Sequence, residues 1–268
     1  MSVFMWVGYL ASLFMGLALG LTGGGGSILT LPTLVYFFSI PTTQATAYSL
    51  IIVGVVALLG VWEARKNGTL RLGSALAFGV PGVLGVVVSR RVLLPALPEI
   101  LQWGVYSVSK DSFLLLVFAL LMFAASIKMI ADSGKQETET QNVDTIARRL
   151  ALSGIGLLVG LFAGLVGAGG GFMIVPALVW FAGLRMKEAV GTSLFVIALQ
   201  SLLGVASDVK SLLALDKTLL VSVIVIAMVG MYAGSKLKQK LSPQKLKLGF
   251  GVFVFAMAVV IIFQELSH

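Results

Sequence analysis

The chain has 268 residues, of which 58% are hydrophobic and 11% charged, and its mean hydropathy is +1.04. A soluble domain carries about 25% charged residues, so this composition excludes an ordinary soluble enzyme, a disordered chain and a collagen-like repeat. The net charge of +8 is expected in loops on one face of a membrane, not on a nucleic-acid surface.

Ten apolar stretches follow in chain order. The first five are Val3–Leu21, Ser27–Ile40, Thr43–Trp62, Leu72–Val88 and Ser112–Ile130. The second five are Leu150–Val166, Phe172–Leu184, Ala189–Ala206, Thr218–Gly234 and Leu248–Phe263. No Lys or Arg precedes Val3, so the first stretch reads as a retained membrane segment and not as a cleavable signal. Each stretch is expected to be helical, because a lone strand leaves its backbone polar groups unsatisfied in lipid. Apolar residues run continuously instead of alternating, which argues against a β-barrel. The expected fold is an all-α polytopic membrane protein. A first transmembrane repeat spans 1–131, a polar cytoplasmic linker 132–149 and a second repeat 150–268.

Cysteine is absent and the one histidine is His268. That removes disulfides, thiolate chemistry, His-based triads and zinc motifs. No catalytic residue, metal or cofactor is expected. An intramembrane enzyme would need a nucleophile and a base at depth, and the sequence offers no such pair.

An internal duplication organises the chain. Gly20–Val35 lies over Gly164–Val179 at an offset of 144, with 8 of 16 positions identical. The same offset pairs Gly16 with Gly160, Ser49-Leu50 with Ser193-Leu194, and Leu58–Val61 with Leu202–Val205. Aligned glycines and an aligned proline are not what two unrelated apolar helices share by chance. The orientation of the halves is read from Lys and Arg. With four crossings per half, the two faces hold 9 and 10 basic residues; with five, they hold 14 and 5. The five-plus-five count has the expected asymmetry. An odd number per half inverts one repeat relative to the other, a common transporter design. Both termini are then outside and the linker is cytoplasmic.

The glycine-rich turns Gly23-Gly24-Gly25-Gly26-Ser27 and Gly167-Ala168-Gly169-Gly170-Gly171 each follow one apolar helix and precede a short one containing Pro32 or Pro176. Glycine lets backbone N–H groups approach a ligand. The first N–H groups of the next helix lack intrahelical partners and carry the positive end of its dipole, so each turn is a candidate anion site. A short helix of about 20 Å cannot cross a core of about 30 Å, so its glycine-rich end lies below the membrane surface. The alternative is that the glycines only permit close helix packing. Neither run is followed by the Lys of a nucleotide-binding loop.

The doubled Gly-Leu-x-Gly-x-Gly-Gly elements, the run Glu188-Ala-Val-Gly-Thr-Ser-Leu194 and its partner Ala45-Thr-Ala-Tyr-Ser-Leu50 together resemble the sulfite exporter TauE/SafE family of membrane transporters. The resemblance implies an inner-membrane, multi-pass transporter of sulfur-containing anions such as sulfite or organosulfonates. It leaves the substrate open. Tyr48 stands where the second half has Thr192, and Ala47 where it has Gly191, so the two halves are not equivalent.

The expected substrate ligands are Thr22, Gly23, Gly24, Gly25, Gly26, Ser27, Ser49, Gly167, Gly169, Gly170, Gly171, Thr192, Ser193 and Gln200. For each hydroxyl, Thr46 included, a bond to its own helix is the competing role. Gln200 lies mid-segment, where a lone amide is costly, so it faces a cavity or bonds another helix. Glu188 favours a helix dipole, Lys128 and Asp111 snorkel, and Lys236–Lys247 forms a cytoplasmic anchor. The expected function is secondary export of a small anion by alternating access, driven by an ion gradient or by the anion's own gradient. The expected partners are the anion and the lipid bilayer; no nucleic acid is expected, and the sequence leaves the oligomeric state open. An anion channel and a structural membrane subunit are the rivals.

Overall fold

The computed structural model describes residues 3–93, 96, 100–103, 106–134, 146–166, 171–206 and 216–266. Ten long or short α-helices run through them. They are α1 Val3–Thr22, α2 Gly25–Pro32, α3 Thr42–Lys66, α4 Leu72–Val88, α5 Lys110–Ala131, α6 Ile146–Val166, α7 Gly171–Trp180, α8 Met186–Ala206, α9 Lys217–Lys240 and α10 Pro243–Leu266. All ten expected segments are helical, with ends displaced by a few residues. Six helices, α1, α3, α4, α8, α9 and α10, are long and apolar enough to cross a membrane. The short apolar runs are Gly25–Phe37, Ala119–Ala131 and Arg149–Leu165. The linker falls mostly on 135–145, outside the described residues.

One element was not expected. A small antiparallel hairpin, β1 Ile100–Trp103 and β2 Tyr106–Ser109, pairs Ile100 with Ser109 and Trp103 with Tyr106 between α4 and α5. At four residues per strand it is a loop feature, consistent with helices forming the membrane body.

Local chemistry explains several helix ends. Gly68 has φ +66°, donates to the Arg65 carbonyl and is followed by Thr69, which donates to the Ala64 carbonyl. This paired bonding closes α3 and requires a left-handed residue after the cap. Asp216 caps α9, accepting from the N–H groups of Thr218 and Leu219. Ser242 accepts from Lys245 N ahead of Pro243, which suits the first helical position because proline has no N–H to lose. Pro32 gives way to a π-turn over Thr33–Phe37, as expected where proline removes a helical hydrogen bond.

Packing follows small residues. On α1, a side chain at Gly16 or Gly20 would overlap the carbonyl of Ala227 or Met231 on α9. On α6, a side chain at Gly160 would overlap the Gly82 carbonyl, and one at Gly164 would meet Val86, both on α4. Tyr9 bonds Ser222 across the first pair, and Ser153 donates to the Ala77 carbonyl across the second. Adding 144 to the α1 positions 9, 16 and 20 yields the α6 positions 153, 160 and 164; subtracting 145 from the α9 positions 222, 227 and 231 yields the α4 positions 77, 82 and 86. Glycines spaced by four let two backbones approach closely, which is how helices associate where lipid removes the hydrophobic drive. Both pairs run parallel.

α3 and α8 run antiparallel, with Gly60 against Leu194 at one end and Leu50 against Gly204 at the other. α5 and α10 are antiparallel too, as Phe123 meets Phe255 and Gly251 meets Ile130. Phe78, Ile174, Leu194 and Val196 are buried between helices, whereas Phe14, Leu84, Leu158, Val225 and Phe263 are exposed on the outer surface. Such an apolar exterior suits lipid.

Candidate functional site

The first glycine turn has room only for hydrogen at several points. Gly23 has φ +76°, and a side chain on it would overlap Ser193 Oγ on α8. One on Gly26 would press into the Leu19 amide and Met15 carbonyl, both 2.5 Å away. A Cβ on Gly25 would lie 2.8 Å from both Thr22 Oγ1 and Phe253 Cε1. The turn is therefore packed on α1, α8 and α10 at once, and close packing is part of its role. It is also polar. Thr22 donates to the Ala18 carbonyl and accepts from Gly25 N at 3.1 Å. Ser27 donates to the Gly24 carbonyl at 2.7 Å. The Gly24 amide has no backbone acceptor among the described residues. The expected residues Gly167, Gly169 and Gly170 lie outside the described residues. Gly171 lies within them and opens α7. A Cβ on it would stand 2.9 Å from Ser27 Oγ and 3.2 Å from the Gly24 carbonyl oxygen. The starts of α2 and α7, 146 positions apart, therefore meet.

The other expected residues divide. Ser193 sits against Gly23 and donates to its own Val190 carbonyl. Ser49 is half-buried on α3. Gln200 lines a cavity of about 30 Å³ beside Leu50, Val86 and Ser201, enough for a water on the usual criterion of about 10–15 Å³. Its Nε2 has no partner among the described residues, so of its two sequence readings the cavity is the one the geometry supports. Thr192 is fully buried, and its hydroxyl accepts from Arg71 N at 3.1 Å. It docks the α3–α4 loop.

Glu188 does more than face a helix dipole. Its carboxylate is 3% exposed and accepts from Arg71 Nη2 at 2.5 Å, Arg71 Nε at 3.2 Å and Arg185 Nη2 at 2.9 Å. It also accepts from Arg185 N at 3.2 Å, tying the residue before α8 to the first turn of that helix. Charge-assisted hydrogen bonds from two guanidinium groups offset the burial of this carboxylate. Sequence reasoning missed Arg71, whose partner Glu188 lies 117 positions away, and Arg185, which sits in the loop three residues before it. It also missed buried Glu63 on α3, and Lys238, expected in the Lys236–Lys247 anchor, is buried on α9. Lys128, expected to snorkel, lies 4.5 Å over the Trp180 ring, a cation–π contact across helices.

Residues 9–261 match the family described as sulfite exporter TauE/SafE. A probable membrane transporter protein of Xylella fastidiosa (strain 9a5c) is 28% identical over 253 residues, covering 93% of this chain and 92% of its own. One from Haemophilus influenzae is 24% identical over 91% of this chain and 92% of its own. The probable membrane transporter protein YjnA of Bacillus subtilis is 25% identical over 96% and 97%. No solved structure matches the chain. Ten apolar helices, glycine-rich runs repeated in the sequence and a family match over nearly the full length agree: the chain belongs to the TauE/SafE family and is a multi-pass membrane transporter.

Proposed function

We propose that this protein is a secondary transporter that exports a small sulfur-containing anion, sulfite or an organosulfonate, by alternating access. The observation that carries the reading is the meeting of Gly171 with Gly24 and Ser27. Two helix N-termini, whose first amides have no acceptor within their own helix and which carry the positive end of a dipole, come to one place within an apolar body. An oxyanion there replaces its water with Gly-turn N–H groups and nearby hydroxyls. Thr22, Gly23 to Ser27, Gly171 and Ser193 form this cluster in our reading, completed by Gly167, Gly169 and Gly170; Ser49, Thr192 and Gln200 belong to its surroundings.

In this reading the halves, 1–131 and 150–268, are inverted repeats about a two-fold axis in the membrane plane, joined by a cytoplasmic linker at 132–149. Antiparallel packing of the equivalent helices α3 and α8, and of α5 and α10, supports inversion. Parallel packing of α1 on α9 and of α6 on α4 fits the same axis. Rocking of one half against the other would expose the cluster to each face in turn.

The test is flux in proteoliposomes preloaded with labelled sulfite or a short alkanesulfonate. Counterflow, in which unlabelled anion outside draws labelled anion against its gradient, is expected of a transporter. Dissipation of a gradient without counterflow would assign the protein to channels. Absence of any flux in well-folded protein would remove the anion reading.

A further inference from the structure

A groove of about 330 Å³ runs between α10 and the end of α1 with the start of α2. Its walls are Phe14 and Leu21 from α1, Leu29 from α2, and Phe250 and Phe253 from α10. Among the described residues, two polar side chains reach it, Thr22 and Lys245. Thr22 Oγ1 is engaged by the Ala18 carbonyl and Gly25 N. Lys245 is exposed in the first turns of α10, with no carboxylate within 4 Å among the described residues. From Lys245 to Phe253 the helix rises about 12 Å. Midway, Gly249 is exposed, and a Cβ on it would meet nothing within 4 Å. A larger residue there would narrow the groove, so glycine keeps it open.

We propose that this groove holds one acyl chain of an anionic phospholipid, with its phosphate paired to Lys245. The walls are too apolar to retain a hydrated ion, and the exposed aromatic Phe14 opens the groove outward. The charge argues for an anionic headgroup over a neutral one. Lys236, Lys238, Lys240, Lys245 and Lys247 crowd the α9–α10 junction with no acidic residue among them. Basic pockets between helices at the cytoplasmic surface are where anionic headgroups bind. Neighbouring lysines are turned elsewhere: Lys247 donates to the Asp132 carbonyl and Lys236 lies over Tyr232. Lys245 is the one that lines the groove. The far end of the chain would rest on Thr22 and Phe253, the two side chains nearest a Cβ on Gly25. Lipid occupancy would thus brace the first glycine turn. The inference stands whether or not that turn binds an anion.

The test is native mass spectrometry of the detergent-purified full chain, offered phosphatidylglycerol and phosphatidylcholine of equal chain length. Wild type should retain phosphatidylglycerol at least fivefold over phosphatidylcholine. Lys245→Gln should equalise the two, and Gly249→Phe should lose both. Lys245 is at the surface, so its variant remains informative if the bulky one folds poorly. Equal retention of both lipids by wild type would overturn the proposal, as would undiminished phosphatidylglycerol in Lys245→Gln. Displacement of the bound lipid by octanesulfonate that is then transported would also overturn it, by assigning the groove to an amphiphilic substrate.

Discussion

Tyr48 and Thr192 stand 144 residues apart, and each hydroxyl accepts the backbone N–H of a residue that caps a helix in the other half. Thr192 accepts from Arg71, which precedes α4, and Tyr48 accepts at 2.5 Å from Asp216, which precedes α9. Two side chains of different size perform one task because the loops they reach differ. The pair ties each half to the other at equivalent positions, and Arg71 extends the tie by its bond to Glu188.

Removing either hydroxyl should therefore loosen a loop. Tyr48→Phe and Thr192→Val each leave one partly buried N–H without its acceptor, at a cost of about 1–3 kcal/mol. Thr192→Ser should restore most of the loss. Thermal unfolding in detergent measures both, alongside anion affinity. Affinity unchanged in folded Thr192→Val would count against Thr192 as a direct anion ligand.

Glycines between helices should tolerate nothing larger. Gly160→Leu drives a side chain into the Gly82 carbonyl, and overpacking of this kind costs typically about 1–3 kcal/mol, occasionally more. Gly154 is the control on the same helix, since a Cβ there meets nothing within 4 Å. Gly154→Ala should gain up to about 1 kcal/mol, the helix-propensity difference. Equal stability of the two variants would show that α4 and α6 do not pack as described.

The anion reading of the first turn can be separated from its packing. Gly25→Ala places a methyl against Phe253 and Thr22, so lost binding alone would be ambiguous. Phe253→Leu should return the space on the α10 side, leaving the Thr22 hydroxyl to rotate away. If the turn holds an anion, Gly25→Ala with Phe253→Leu should regain stability yet bind sulfite at least tenfold more weakly, a loss of about 1.4 kcal/mol. Wild-type affinity in that double variant would reduce the turn to a packing device.

Sidedness is open to cysteine labelling, because the chain has no native cysteine. Asn67, Ser242, Gln44 and Lys217 are exposed at helix ends or connections. Cysteines at positions 67 and 242 should react with impermeant reagent only from the cytoplasm, and those at 44 and 217 only from outside. Positions 44 and 67 labelling from one face would refute a full crossing by α3.

The sequence alone determined the membrane class, the ten helical segments and the duplication. These are local signals: apolar runs set by bilayer thickness, and glycines and prolines recurring at one offset. It located the first glycine turn for the same reason. Tertiary structure decided what the residues touch. Nothing near Thr192 names Arg71, 121 positions away, and of the two cations on Glu188 one, Arg71, lies 117 positions away. The glycines at 16, 20, 160 and 164 were visible in the sequence, but their partners on α9 and α4 were not, because a small residue signals close approach without specifying what approaches. The groove at Lys245 was equally hidden. It depends on where α10 lies beside α1 and α2, which long-range packing sets and no local pattern records.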